Sequence, residues 1–318
     1  MRAVIFGGTG FVGKHLLDRL PPELSDSEVI IVSRNPPSFS LPQCAKWVRW
    51  DVLSNPPDLP DFNFAVHAAT STLADLYRVQ PDAMYEAITA GMRGVIEVCR
   101  RQKTAPRLLF TSSGAVYGEM GKGKEFWYEQ DAGPRSPSLT AYARGKLEAE
   151  YTLFDTYSRD VCRPTVARLF AFGGRHLPLT RHFALGNFVG DAVGGGPIRI
   201  RGDGRCVRSY LDGDDMADWL WSALVSEVSV GRTFNVGSER AVQILDLAHL
   251  VAQVAEQYLG RKMHIEVQGV LSEIDGFNRY VPSTRLIREV LAVDEKIDLT
   301  SSIEAMMKHH LRIRKRER

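Results

Sequence analysis

The chain has 318 residues, 44% of them hydrophobic and 25% charged, with a formal net charge of +2, which suits one large or two moderate globular domains and gives no electrostatic reason to expect a nucleic-acid or anionic-membrane partner. Its four cysteines (Cys44, Cys99, Cys162, Cys206) are scattered without a CxxC pair, which argues against a zinc centre or a disulfide framework and fits a reducing, cytoplasmic compartment. No apolar run approaches the ~18 residues of a membrane span, and the run at residues 3–6 is too short for the core of a secretion signal.

Residues 3–6, AVIF, read as a short buried strand. Phe11, Val12, Leu16, Leu17 and Leu20 then recur at helical spacing until Pro21-Pro22. Between them lies GGTGFVG, with Gly7, Gly10 and Gly13 three residues apart. Glycine costs about 0.5–1 kcal/mol against alanine in regular structure, so this concentration needs a reason. Strand, glycine turn and helix start make a phosphate cradle. The glycines allow a tight turn and close backbone approach, and the helix start, with Phe11 and Val12, offers free N–H groups and a positive dipole end to a pyrophosphate. A merely glycine-rich turn is the plainer alternative, but the motif stands where a first βα unit should be.

The next strand is VIIV, residues 29–32. NAD-binding units place an acidic residue near its end, on the ribose 2′-hydroxyl. Here Ser33-Arg34 follows, and an arginine suits a 2′-phosphate. The cofactor expected is therefore NAD or NADP, with the lean to NADP. Residues 63–69 form a strand ending in the small Ala68 and Ala69. A helix over 81–102, a strand over 107–111, a helix over 139–158 and a strand over 166–170 follow. This alternation predicts an α/β fold, a Rossmann-type doubly wound parallel sheet with a smaller C-terminal lobe.

Two further stretches carry chemistry: TSSGAVYG at 111–118, after a strand, and AYARGKLEAE at 141–150, on a helix. Tyr142 and Lys146 are four apart and share one helical face. A tyrosine with a pKa of about 10 must be lowered by about three units, roughly 4 kcal/mol, to exchange protons near pH 7. The Lys146 ammonium and a cationic nicotinamide ring would both do this. Ser113 could hydrogen-bond the same reacting oxygen, giving an acid/base site for interconverting C–OH and C=O. YxxxK alone is weak; its conjunction with the glycine turn, the serine turn and the αβ rhythm is not.

GGTGFVG, HAAT, TSSGAVYG and YARGK, in this order, resemble the extended short-chain dehydrogenase/reductases, and more narrowly the NAD-dependent epimerase/dehydratase group that acts on nucleotide sugars. The resemblance covers nearly the whole chain. It implies catalysis by Ser113, Tyr142 and Lys146, the last two also touching the cofactor, as do Ala68 and Ala69. It implies that Asp51-Val52 meets the adenine. In GNFVGDAVGGGPIRIRGDGRCVRSYLDGDDMADWLW, Asn187 and Arg208 match positions on the sugar nucleotide's diphosphate, and Arg279 in DGFNRYVPS matches a second arginine there. Bidentate arginine suits a diphosphate.

Departures from the family pattern are informative. Ala171 stands where the family often has Asn, and Ile88-Thr89 stand where another Asn is usual. Gly114-Ala115 replaces the Asp-Glu pair of the 4,6-dehydratases, which argues against water elimination and leaves epimerisation or reduction of a 4-keto sugar. Residues 1–171 are expected to form the dinucleotide domain, rejoined by 205–240, and 172–318 mainly the substrate lobe and a solvated basic tail, HHLRIRKRER. The loop 119–138 would line the sugar pocket or act as a lid, or be an ordinary surface excursion. Related enzymes imply a homodimer through helices 81–102 and 139–158. No metal site is expected. The competing readings are a non-catalytic cofactor-sensing protein on the same fold and a reductase of small carbonyl compounds.

Overall fold

A computed structural model describes residues 1–25, 27–70, 81–121, 123–133, 139–179, 183–269 and 278–316. The strands of the N-terminal part are β1 (Arg2–Phe6), β2 (Glu28–Ser33), β3 (Ala45–Arg49), β4 (Phe64–His67), β5 (Arg107–Ser113) and β6 (Arg163–Leu169). Its helices are α1 (Phe11–Asp18), the one-turn α2 (Pro22–Ser25), α3 (Pro81–Arg100) and α4 (Ala141–Tyr157). After them come α5 (Ala184–Gly194), β7 (Ile198–Ile200), β8 (Val207–Ser209), α6 (Gly213–Val225), β9 (Arg232–Val236) and β10 (Ala241–Gln243). The chain continues with α7 (Ile244–Leu259), β11 (Ile265–Val267), β12 (Arg279–Tyr280), α8 (Arg285–Leu291) and α9 (Leu299–Arg316).

Seven strands form one sheet in the order β3-β2-β1-β4-β5-β6-β9, every neighbouring pair parallel. The order reverses between β1 and β4, so their carboxyl ends frame the crevice where open α/β sheets take ligands. The central strands β1, β2 and β4 are almost continuously apolar because both faces are covered. Ala3 and Ile5 face the layer of α1 and α6, with Leu16, Met216 and Trp219; Val4 and Phe6 face the layer of α3 and α4, with Met84, Met92 and Leu153. A third cluster joins α5, α7 and α9 through Phe188, Val251 and Met306. Two small sheets, β10-β8-β12 and β11-β7, complete the C-terminal region. The Thr140 hydroxyl, accepting the Ala143 N–H at 3.2 Å, starts α4 two residues later than the sequence suggested.

A buried ion pair ties this framework together under the carboxyl ends of β5 and β6. Arg168 on β6 meets Glu150 on α4, Nη2 to Oε2 at 2.6 Å and Nε to the two oxygens at 3.0 and 3.2 Å, with both residues buried. Ser112 on β5 donates to the same carboxylate. Arg168 Nη1 reaches the Tyr117 hydroxyl at 3.1 Å and the Glu129 carbonyl at 2.7 Å. Tyr117 donates to Asn235 Oδ1 on β9 at 2.5 Å, and the Asn235 amide reaches the Trp127 and Ser283 carbonyls.

Removing one member of a buried pair strands the other charge in a low dielectric. Glu150→Leu is expected to cost about 3–5 kcal/mol in urea unfolding, and adding Arg168→Met should recover most of the loss. A single variant as stable as the parent would show the pair dispensable.

Candidate active site

The glycine turn follows β1 at the switch point of the sheet. Gly7 has φ +87°, and a Cβ there would stand 2.6 Å from the Ala68 carbonyl carbon and 2.7 Å from the Ala69 nitrogen. A Cβ on Gly13 would stand 2.4 Å from the Gly8 Cα. The Gly7 N–H bonds the Val32 carbonyl at 2.7 Å, and the Gly10 N–H bonds the Gly7 carbonyl at 3.0 Å. Gly10 caps α1 with no side-chain cap, and the first turn holds no acidic residue, so nothing negative competes for the helix N-terminus. Phe11 packs beside His15 and Phe172, ring centroids 4.8 and 6.1 Å away, and Val12 is half-buried in the same layer. A backbone cradle that side chains would fill fits a dinucleotide pyrophosphate.

The remaining positions expected to meet a dinucleotide are placed as follows. Ala68 extends the ladder, its N–H on the Phe6 carbonyl at 2.8 Å. The Ser33 hydroxyl is already engaged, accepting from Trp47 Nε1 at 3.0 Å and donating to the Asn35 carbonyl at 2.8 Å, whereas Arg34 is exposed. Asp51 Oδ1 accepts the Leu53 N–H at 3.1 Å. Val52 lies against α3, where a Cβ on Gly94 would come 2.7 Å from its carbonyl oxygen.

Ser113 ends β5. Its hydroxyl accepts the Ala115 N–H at 3.2 Å, and the Tyr280 hydroxyl stands beside the next residue, 2.5 Å from where a Cβ on Gly114 would be. Tyr142 sits in the first turn of α4. Lys146, one turn on, holds Nζ 5.8 Å from the Tyr142 ring centroid. That ammonium donates to Thr70 Oγ1 at 2.9 Å and to the Thr111 carbonyl at 2.8 Å, and lies 4.7 Å from the Phe110 ring centroid.

The electrostatics correct one expectation. The Tyr–Lys spacing predicts that Lys146 lowers Tyr142; in the folded chain without a dinucleotide, desolvation instead raises the Tyr142 phenol above its ordinary value, with Ser113 opposing the rise. The Lys146 ammonium donates to Thr70 and Thr111, and burial holds its own pKa down to about 7 against the pull of Glu150. Beneath it His67 stacks on Phe110 at 5.3 Å, and burial together with the Lys146 charge holds it down to about 3. His67 stands in the HAAT stretch, but that stretch says nothing of the Lys146 charge acting on it.

The substrate-side residues divide. Arg208 on β8 donates to the Val207 and Asn278 carbonyls, each at 2.8 Å, and holds its guanidinium carbon 5.8 Å from the Tyr280 ring centroid. Tyr280 on β12 pairs with Arg208 in register and packs on Phe170, centroids 4.6 Å apart. Ser113, Tyr142, Lys146 and Arg208 therefore belong to one contiguous group, with Tyr280 as the link that sequence reasoning missed. Arg279 is turned away, its Nε on the Glu125 carbonyl at 2.7 Å. Asn187 lines a separate cavity of about 600 Å³ with Leu179, Asp191, Arg199, Arg201 and Gln268. Gly114 has a steric reason as well: a Cβ there would stand 2.5 Å from the Tyr280 hydroxyl and 2.8 Å from the Phe170 ring. In the loop 119–138, residue 122 and residues 134–138, with the Pro134-Arg135-Ser136-Pro137 stretch, lie outside the described residues; Trp127 anchors the described part to the segment just after β12, and Glu129 anchors it to β9.

Among the described residues, no group of three or more His, Cys, Asp or Glu side chains could hold a metal ion, and no helix is long and apolar enough to cross a membrane. The strand order, the glycine turn at the switch point and the Ser–Tyr–Lys arrangement define a Rossmann-type extended short-chain dehydrogenase/reductase. Within that class, the chain belongs to the NAD dependent epimerase/dehydratase family, whose profile matches residues 3–237. UDP-glucuronic acid decarboxylases 5 and 3 of Arabidopsis thaliana are each 24% identical to it over 96% of this chain and 88% of theirs. The UDP-glucose 4-epimerase of Thermotoga maritima, solved with UDP-glucose, shares the fold with a TM-score of 0.81 at 19% identity, over 100% of both chains. The UDP-glucuronic acid 4-epimerase of Bacillus cereus, solved with UDP-glucuronic acid and NAD, gives 0.80 at 18% identity over 98% of this chain and 100% of that one.

Lys146 carries a pH signature. Its folded pKa of about 7 lies below the unfolded value, so the folded state holds fewer protons between them, and stability rises with pH through that window. The buried ammonium is fully costly below pH 7 and is relieved above it. The unfolding free energy of the parent minus that of Lys146→Met is expected to rise between pH 7 and 8.5, by at most about 1.4 kcal/mol per pH unit. A flat difference would contradict the shift.

Proposed function

We propose that this chain transfers hydride at a sugar carbon of a nucleotide-diphosphate sugar, as an NAD(P)-dependent epimerase or 4-keto-sugar reductase. The observation that carries this reading is the contiguous run of Lys146, Tyr142, Ser113, Tyr280 and Arg208 beside the glycine cradle. Tyr142 takes the proton from the sugar hydroxyl while Ser113 holds the same oxygen. Lys146 places a positive charge behind the developing phenolate and donates into the crevice. A nicotinamide held beside the glycine cradle would supply hydride chemistry at the carbon that bears this oxygen. Hydride return to the opposite face gives an epimer; a single delivery to a 4-keto sugar gives reduction.

Gly7, Gly10 and Gly13, with the N–H groups of Phe11 and Val12, would hold the dinucleotide pyrophosphate. Asp51 and Val52 would meet the adenine, and Ala68 and Ala69 the ring's approach. Arg34, exposed after β2, supports contact with a 2′-phosphate and hence NADP; Ser33, engaged by Trp47, adds nothing to that lean. Arg208 would grip the sugar nucleotide's diphosphate, with Asn187 and Arg279 as outlying contacts. Neither Gly114 nor Ala115 can move a proton, so 4,6-dehydration has no acid/base pair here. A homodimer through α3 and α4 in the cytoplasm completes the reading; light scattering giving the mass of two chains would support the dimer.

A second reading is decarboxylation of a uronic-acid nucleotide, favoured by the decarboxylases that match 96% of the chain. The same Tyr142-assisted oxidation, placed β to a carboxyl group, yields a β-keto acid that loses carbon dioxide.

Denaturing the purified protein and identifying the released dinucleotide by chromatography separates these readings. Retained NAD supports a cycle that regenerates its cofactor and removes the NADP lean; an empty site that prefers NADPH supports a reductase. Carbon dioxide released from UDP-glucuronic acid supports the decarboxylase. Tyr142→Phe is expected to lower turnover about 10²–10⁴-fold with nucleotide binding intact. A Tyr142→Phe variant that binds normally and leaves the biological effect unchanged would favour a sensing protein. Arg208→Ala should weaken UDP binding about 10- to 100-fold; no UDP binding by the parent would favour a reductase of small carbonyls.

A further inference from the structure

Four histidine rings stand in a row across the seam between α1 and α9. His15 on α1 meets His176 with ring centroids 4.8 Å apart, His176 meets His309 on α9 at 5.6 Å, and His309 meets His310 at 5.1 Å. The chemistry proposed above uses none of them. Through His176, in the segment that follows β6, the row joins the helix that starts at the glycine cradle to the last helix of the chain.

The carboxylates of this cluster are already engaged. Asp214, in the first turn of α6, lies 2.8 Å from His15 Nδ1 and accepts from Arg175 Nη1 at 3.0 Å. Asp18 on α1 lies 2.7 Å from His176 Nε2 and accepts from Arg175 Nε and Nη2 at 3.0 and 2.9 Å. Asp212 accepts the Ser302 hydroxyl at 2.5 Å, which ties down the first turn of α9, and the Asp214 N–H at 2.8 Å. Two cations complete the surroundings: Arg175 itself, and Lys14 on α1, whose ammonium lies over the Phe39 ring.

The rings are seated as neutral groups. A carboxylate only accepts, so the proton of His15 is on Nδ1, toward Asp214, and its Nε2 is a bare lone pair. That Nε2 is buried without a partner, against a backbone where a Cβ on Gly174 would come within 2.9 Å of it. His310 Nε2 is likewise buried and unpartnered. A second proton on either ring would make a buried N–H with no acceptor, and a proton on His309 would add a like charge beside Arg175 and Lys14.

We propose that this row is an acid-sensitive clasp: while the imidazoles are neutral it holds the second half of α9 against the flank of α1, and their protonation parts the two. Released imidazoles take up protons near pH 6.5. Burial, with the charges of His310, His176, Arg175 and Lys14 acting on it, holds docked His309 down to about 4, and burial lowers His15 and His310 as well. Between those values the released state carries more protons, so docking is complete above the window and weakens as pH falls through it. Each histidine can weaken docking by at most about ten-fold per pH unit, and half-buried His309 by less.

The test is amide hydrogen exchange of the full chain, read by mass spectrometry and corrected for the intrinsic rate at each pH. Protection over residues 305–314 is expected to fall about ten-fold between roughly pH 7.5 and 5, while that of α3, far from the row, holds. In a variant carrying His309→Gln with His310→Gln, which cannot charge, most of the fall should vanish. His249→Gln, on the exposed face of α7, should keep it. Flat protection in the parent overturns the proposal. So does an equal fall in the double variant, or its loss in His249→Gln. Should the double variant not fold, His309→Gln alone decides: a fall as steep as the parent's overturns the clasp. No ligand enters the measurement, so its result is separate from whatever the cradle binds.

Discussion

The buried pair of Arg168 and Glu150 sets the rotation of α4, and the site depends on that rotation. Tyr142, Lys146 and Glu150 stand at successive four-residue steps on one face of the helix, and residues so spaced line one stripe. Pinning Glu150 between β6 and Ser112 on β5 orients the whole stripe toward the carboxyl end of β5. One residue of slippage would swing Tyr142 by about 100° around the axis, away from Ser113. A pair of apolar side chains could hold the helix as tightly, but any rotation that kept them buried would serve. Directional hydrogen bonds from two strands allow one. Arg168 extends the same constraint through Tyr117 to Asn235, so β9 and the segment around Trp127 take their positions from the same charge.

The price of this burial is visible in the reactive groups. Desolvation raises Tyr142 and lowers Lys146, so each is driven toward its neutral form. A phenolate and an ammonium formed together would relieve one another. Lys146, held near neutrality by burial yet aimed by Thr70 and Thr111, is poised to change its charge with small changes in its surroundings.

Much of this was legible because the signals are local. Central parallel strands announce themselves as unbroken apolar runs, and the glycine turn, the serine turn and the tyrosine–lysine step each lie within a dozen residues. What was hidden depends on contacts between distant segments. β3, AKWVR, alternates and lies at the sheet edge, so it carries no such run. Trp47 on that strand occupies Ser33, which changes the meaning of a residue read in isolation. The direction of the Tyr142 shift depends on packing, which the YxxxK spacing does not encode. Arg279 and Asn187 were placed by resemblance, and the C-terminal region turns one toward Glu125 and the other into a separate cavity. Tyr280 enters from the far end of the sequence, and no motif around it signals the contact.

Gly114 and Tyr280 are far apart in the chain yet occupy one volume. A side chain at 114 and a phenol at 280 are mutually exclusive, with Phe170 enforcing the exclusion from the side. The two positions can therefore change only in concert. A single substitution that introduced a carboxylate after Ser113 would meet an occupied space before it could do any chemistry. On this scaffold, a carboxylate at 114 would have to be preceded by a smaller residue at 280, which places the first step of such a change more than 150 positions away from the serine turn itself.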